Sequence, residues 1–404
     1  MDTGKDSYGY MDMNADQLRT LFLNAGHFFD HMLILIYATA VIAISTEFGR
    51  TYGEIIAIAT PGFVLFGAMS LPFGWLGDRF GRHGLMSLFF IGIGTATALT
   101  GLSTSIWHLS IGLTVVGICA AIYHPVGIPM LVQGVDKPGK KLGINGVFGN
   151  MGVAAAPLVV GAMMATYGWR GAFIGPGLVC ILVGLLFWKL VPADKPVGPK
   201  QKNTTEPAAA FLDGWRRVLV SLGIITLIAG LIFSSTTIAL PKLFEERFTD
   251  ALPGALGFTA LASLVYAIAS FAQVAAGAAV DKYSAKSMLI IILSTQVVVL
   301  PIMAFAEGPL LFVSSLFLMA GVFGQIPIID TMLTRYVPDS HRGRVFSVKY
   351  LLNLSVGAMA IPMIAGMHQW ADGFLTLFQV LAVIALIMVG AAFILRRPQP
   401  VAAE

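Results

Sequence analysis

Charge is what this sequence lacks. Asp, Glu, Lys and Arg make up only 11% of its 404 residues, where a soluble domain carries about 25%. A soluble globular fold is therefore excluded. Cysteine is nearly absent too: Cys119 and Cys180 lie inside apolar runs without ligand-type spacing, so neither a disulfide framework nor a thiolate metal centre is expected. No GxxxxGK[ST] loop is present to cradle ATP, and no Ser-His-Asp set or helical HExxH stands in a catalytic setting. No enzyme, no cofactor and no resident metal ion are expected. The start, MDTGKDSYGYMDMNADQLRT, has no basic, short-apolar signal pattern, so the first apolar run is expected to stay as a helix. A net charge of +4 and a pI near 9.0 would fit nucleic acid, but the basic residues are scattered through short loops, and no nucleic-acid partner is expected.

What is there is oil: 57% of the residues are hydrophobic. Runs long enough to cross a bilayer, about 20 residues each, recur along the chain and are continuous rather than alternating, which predicts helices instead of barrel strands. The fold class is an all-α membrane protein. Twelve spans are predicted at about 20–46, 52–76, 84–103, 106–133, 140–166, 171–190, 216–240, 254–280, 286–306, 310–335, 342–367 and 373–395. With both termini placed in the cytoplasm, every Lys and Arg except Arg50, Arg170, Lys242 and Arg247 falls inside, as the positive-inside bias requires. A multi-pass inner-membrane protein follows.

Residues 191–214, VPADKPVGPKQKNTTEPAAAFLDG, are rich in Pro, Lys and small polar residues and lack helical periodicity. They predict a cytoplasmic linker at 191–215 between bundles at 1–190 and 216–404. The two halves repeat. GWLGDRFGRH at Gly74–His83 aligns with GAAVDKYSAK at Gly277–Lys286, and Gly152, Pro157 and Gly161 align with Gly357, Pro362 and Gly366. Two pseudo-symmetric six-helix bundles are the expected architecture, the arrangement of many secondary transporters.

GWLGDRFGRHG resembles the signature G-x-L-x-D-R-x-G-R of the major facilitator superfamily through Gly74, Leu76, Asp78, Arg79, Gly81 and Arg82. WRGAF at Trp169–Phe173 is similar to the same superfamily. The resemblance implies a conformational latch in which Asp78, and its repeat Asp281, faces the positive N-terminus of a helix in the other half. A narrower likeness is to the fosmidomycin-resistance branch, carried by His27-x-x-Asp30, by Tyr123-His124-Pro125 and by Gly149-Asn150-x-Gly152 with Ala156-Pro157. Val126 stands where that branch has glutamate, Tyr123 where it has phenylalanine and Ala156 where it has glycine.

Polar residues cluster at one depth. At about 1.5 Å per residue, Asp30 and His124 both lie about 15 Å into the bilayer, near its midplane, with Asn150, Gln325, Lys349 and Asn353 at a similar level. On the first helix Asn24, His27 and His31 share a stripe, with Asp30 beside it. A charge at that depth costs about 2.5–3.5 kcal/mol, so Asp30 requires a partner or a water-filled surrounding. His27 and His124 are the expected partners, and an Asp–His pair that takes up and releases protons would couple alternating access to a gradient. Asn24, His27, Asp30, His31, Tyr123, His124, Asn150, Gln325, Lys349 and Asn353 are therefore the expected substrate and proton site.

The expected activity is proton-coupled secondary transport of a small polar or amphipathic solute, by export in antiport, from a monomer in the lipid bilayer. Three readings compete. Lys349 would suit an organic anion taken up by symport, although it could instead snorkel and pair with Asp330. His27, Asp30, His31 and His124 resemble a nitrogen and oxygen ligand set for transition-metal transport, without a cysteine or a second carboxylate to support it. The third is a ligand sensor that moves nothing.

Overall fold

The structure is a computed structural model that describes residues 14–133, 139–193, 211–248, 255–280 and 282–395. Among them there are helices and connecting turns and no strand. The first helix shows how sequence punctuates the chain. Asn14 accepts from the Gln17 amide at 2.9 Å while the Gln17 side chain accepts from the Asn14 amide at 3.0 Å, closing a capping box. Helix α1 then runs Ala15–Phe48 and ends on Gly49, whose φ of 59° terminates it in a left-handed turn. Thr51 and Glu54 form a second capping box two residues later.

The next crossing is broken into α2 (Tyr52–Ala57), α3 (Thr60–Ala68) and α4 (Ser70–Phe80), with a 40° bend before α4. Then follow α5 (Arg82–Thr100), α6 (Ile106–Ala120), a π-helical turn (Tyr123–Gly127) and α7 (Ile128–Leu131). Helix α8 (Gly139–Leu190) is too long for one crossing, at about 1.5 Å per residue. It breaks at Gly168, where φ is 66°, a conformation that suits a residue without Cβ. The later part of the chain forms α9 (Trp215–Arg247), α10 (Ala255–Ala279), α11 (Ala285–Phe305), α12 (Gly308–Tyr336), α13 (Asp339–Gly357), α14 (Ala360–Trp370) and α15 (Phe374–Ile394).

Among the described residues ten helices are long and apolar enough to span a membrane, and the bent pair makes an eleventh span. Dividing α8 at Gly168 gives the twelfth, so the expected number of crossings is met by about the expected segments. Asp281 lies outside the described residues, as do residues 194–210 of the expected linker.

Packing is close where glycines line up. A Cβ at Gly152 of α8 would come within 2.2 Å of the Phe28 carbonyl oxygen of α1, and one at Gly149 within 2.6 Å of the His27 ring. Small residues let α1 and α8 meet backbone to backbone, which is how helices associate where lipid removes the hydrophobic drive. At the face where α1 begins, Lys141 bonds Asp16 at 2.6 Å. At the opposite, far face, Glu47 at the end of α1 accepts from Trp169 Nε1 at 2.6 Å and from both Arg170 guanidinium nitrogens at 2.8 and 2.9 Å. Arg170 also donates to the Ser103 carbonyl at 3.1 Å. The WRGAF segment is thus a clasp holding α1, the α5–α6 turn and the second part of α8 together.

Candidate functional site

Helix α1 carries Asn24, His27, Asp30 and His31 to the middle of the molecule, all but His31 being buried. The π-helical turn brings His124 to the same place. Wider turns of this kind inside a helix are frequent at functional sites because they re-aim side chains. Here the turn sets His124 Nε2 at 3.3 Å from Asp30 Oδ2. His27 and His31, one helical turn apart, have their Nε2 atoms 3.2 Å from each other.

The tautomer of His27 follows from its surroundings. Its Nδ1 lies 2.8 Å from the Asn145 carbonyl oxygen, which can only accept, so Nδ1 carries the proton and a neutral ring presents a bare Nε2. His31 Nε2–H then donates to it. Tyr123 stacks on the His27 ring with centroids 4.9 Å apart, and its hydroxyl donates to the Leu23 carbonyl at 2.8 Å. The Asn145 amide donates to that hydroxyl at 2.8 Å and to the Asn24 side chain at 3.0 Å. The second half of the chain closes the site: Tyr350 of α13 stacks on His124 at 5.3 Å, and Phe233 of α9 meets His31 at 6.3 Å.

Asp30 stands apart from this satisfied network. It is fully buried, and neither carboxylate oxygen makes a hydrogen bond. Among the described residues, His124 is its one ion-pairing neighbour within 4 Å, and neither nitrogen of that ring is hydrogen-bonded. A buried polar atom left without a partner costs roughly 1–3 kcal/mol, and more when charged.

Asn24, His27, Asp30, His31, Tyr123 and His124 therefore form one cluster; Lys349 borders it, its Nζ 5.1 Å from the Tyr350 ring that stacks on His124, whereas Asn150, Gln325 and Asn353 bond to other helices. Asn150 donates to Gln273 of α10 at 2.5 Å, bridging the first and second halves. Gln325 accepts from Gln296 of α11 at 3.0 Å, buried within the second half. Asn353 packs on α9 and donates to the Thr226 carbonyl at 3.4 Å. Lys349 is ion-paired with Asp330 of α12, so its cation is already compensated. Tyr123 and Tyr350 flank the cluster, stacked on His27 and His124 respectively. Asn145 and Gln273 were not singled out from sequence, although each is a polar residue inside an apolar helix, the same signal that marked Asn150.

The segment at 74–82 differs from the expected latch in this conformation. Asp78 bonds Arg82 at 3.0 Å and its side chain is 74% exposed, so in this conformation it does not reach a helix of the other half. Gly74 packs on Pro125, Gly81 adopts a φ of 95° that ends α4, and Arg79 lies over Trp75 and Phe80. The halves also meet at the far face. Tyr52 packs against His368 at 4.9 Å, His368 bonds Glu246 at 3.0 Å, and a Cβ on Gly53 would sit 3.0 Å from the Ala365 carbonyl oxygen.

Comparison with known proteins agrees with this layout. The chain is 26% identical over 328 residues to the "Multidrug resistance protein MdtG" of Yersinia enterocolitica, covering 80% of this chain and 78% of that one. The protein of the same name from Rahnella is 27% identical over 348 residues, covering 83% and 82%. In structure, a bacterial homolog of the human lysosomal transporter Spinster, inward-facing and unoccupied, superposes with a TM-score of 0.71 at 17% identity, covering 96% of this chain and 97% of that one. The sequence profile of the Major Facilitator Superfamily matches residues 23–267 and 222–404, nearly the whole length. The chain is a multi-pass membrane protein that belongs to the major facilitator superfamily.

Proposed function

We propose that this superfamily member is a proton-coupled secondary transporter that exports a small polar or amphipathic organic solute by antiport. Membership makes transport by alternating access the frame, with residues up to 190 and from 216 onward as the two rocking bodies. The multidrug-resistance relatives favour export and their bacterial sources favour the inner membrane, while the distribution of Lys and Arg favours cytoplasmic termini. The H-x-x-D of α1 and the histidine of the π turn keep the fosmidomycin-resistance branch as our subfamily reading.

One observation carries the coupling. Asp30 is a carboxylate in the middle of a spanning helix with, among the described residues, no lysine or arginine within ion-pairing distance. Charge there is costly, so a mobile cation must compensate it, and the proton is the smallest that meets the need. His124 stands between Asp30 and Tyr350 of the other half, where rocking would alter its surroundings. Asp78 would reach its helix partner only when the face bearing the termini closes. Uptake of an organic anion is the less supported reading, since Lys349 already holds Asp330.

The test is solute flux in proteoliposomes holding the purified chain, screened across amphipathic cations, phosphonates and carboxylates under an imposed pH gradient. Efflux that follows the gradient and collapses with a protonophore is expected. Flux indifferent to the gradient for every solute moved would overturn the coupling, and no flux at all would favour a sensor.

A further inference from the structure

We infer that His27, His31 and His124, with Asp30, form a binding site for a divalent first-row transition-metal ion of the imidazole-preferring kind, such as Zn²⁺, Co²⁺ or Ni²⁺. The inference goes beyond the export reading and does not need it to hold. Among the described residues, ligand nitrogens of the three histidines all lie within 4.8 Å of one another. Two of the approaches are already at coordination spacing. Metal–nitrogen bonds of about 2.0–2.1 Å arranged tetrahedrally put neighbouring ligand atoms about 3.3 Å apart. His27 Nε2 and His31 Nε2 are separated by 3.2 Å, and His124 Nε2 and Asp30 Oδ2 by 3.3 Å.

The surroundings are those of a ligand set rather than of packing. A metal-binding histidine is commonly oriented by giving its other ring proton to a carbonyl or carboxylate. His27 does so to the Asn145 carbonyl at 2.8 Å, which leaves its Nε2 lone pair facing the cluster; the His31 Nε2–H that donates to it gives way to the ion when His31 takes the tautomer with its proton on Nδ1. Tyr123 stacked on that ring fixes its plane, and a Cβ on residue 149 would strike it at 2.6 Å, so glycine is needed there. Neither nitrogen of His124 and neither oxygen of Asp30 has a hydrogen-bond partner. Coordination would satisfy one from each pair at once. Three neutral imidazoles and one carboxylate suit Zn²⁺, Co²⁺ or Ni²⁺ and offer little to Mg²⁺ or Ca²⁺, which take oxygen ligands.

Cobalt reports the site directly. The purified full-length chain in detergent is titrated with Co²⁺ and its visible spectrum followed, with Zn²⁺ added as competitor. The expected result is one equivalent of Co²⁺ giving the intense bands of a four-coordinate ion, erased by Zn²⁺ and unaffected by Mg²⁺. His27→Gln and His124→Asn, each checked as a single peak in size-exclusion chromatography, should each weaken binding by more than the about 10–100-fold that loss of an outer partner costs. His368→Gln, a far-face histidine, should leave it unchanged. Absence of the bands, or bands that persist equally in His27→Gln and His124→Asn, would overturn the site. Either failure leaves the transport reading untouched, because gradient-driven flux of an organic solute is measured without metal.

Discussion

Two carboxylates on one helix teach the most about this protein. Glu47 and Asp30 lie seventeen residues apart on α1, about 25 Å at 1.5 Å per residue. Glu47 sits at the far face, 42% exposed, and is saturated by Trp169 and Arg170. Asp30 is fully buried and has no hydrogen bond. The partner that is missing falls where the medium is least able to replace it. A fixed arginine at Glu47 makes a permanent joint, whereas the unfixed charge at Asp30 leaves a place for a cation that comes and goes.

If that contrast is right, damage at the two carboxylate sites should differ in kind. The largest effect is expected for His124→Ala, which should bring gradient-driven flux down to background while the protein still elutes as a single species. Trp169→Phe, removing one of three bonds to Glu47, should keep most of that flux. Next comes Gly152→Leu, whose side chain would start 2.2 Å from the Phe28 carbonyl. It should cost at least about 3 kcal/mol, at the upper end of overpacking penalties, and show as lost yield or a lower melting temperature.

A third test asks whether a saturated pair in the second half behaves like the clasp. Lys349→Met should destabilise by about 1–3 kcal/mol, since breaking a buried pair strands one charge and Asp330 is part-exposed. Adding Asp330→Leu should recover much of that loss in thermal unfolding. The smallest effect is expected for Glu47→Gln, about 0–1 kcal/mol, because exposure and salt screen such pairs. A drop in melting temperature as large as that of Gly152→Leu would break the comparison.

Much of the fold was legible because a bilayer imposes a simple rule: long apolar runs, capped at each end, must be helices. Gly168 could be placed between the fifth and sixth spans from the pattern alone, and the structure bends there. The meeting of His27, Asp30, His31 and His124 was legible in part, since His27 and His31 share a stripe of one helix with Asp30 beside it. How His124 reaches Asp30 was not, because the π turn at Tyr123–Gly127 shifts its direction in a way that helical counting at a fixed rise cannot see. Counting depth also grouped Gln325, Lys349 and Asn353 with the site, but depth says nothing of azimuth, and those side chains turn to α11, α12 and α9. Asp78 depends on conformation, which one sequence serves in several forms. Asn145 orients His27 through its backbone carbonyl, a role its side-chain type does not announce, although its amide also bonds Tyr123 and Asn24.

The measurement closest to the central claim compares net accumulation with exchange in proteoliposomes bearing Asp30→Asn, an isosteric side chain that needs no compensating cation. Accumulation against a gradient should vanish while solute-for-solute exchange at equal pH continues near the wild-type rate. Accumulation by Asp30→Asn that still follows the pH gradient as the unmodified protein does would contradict the account.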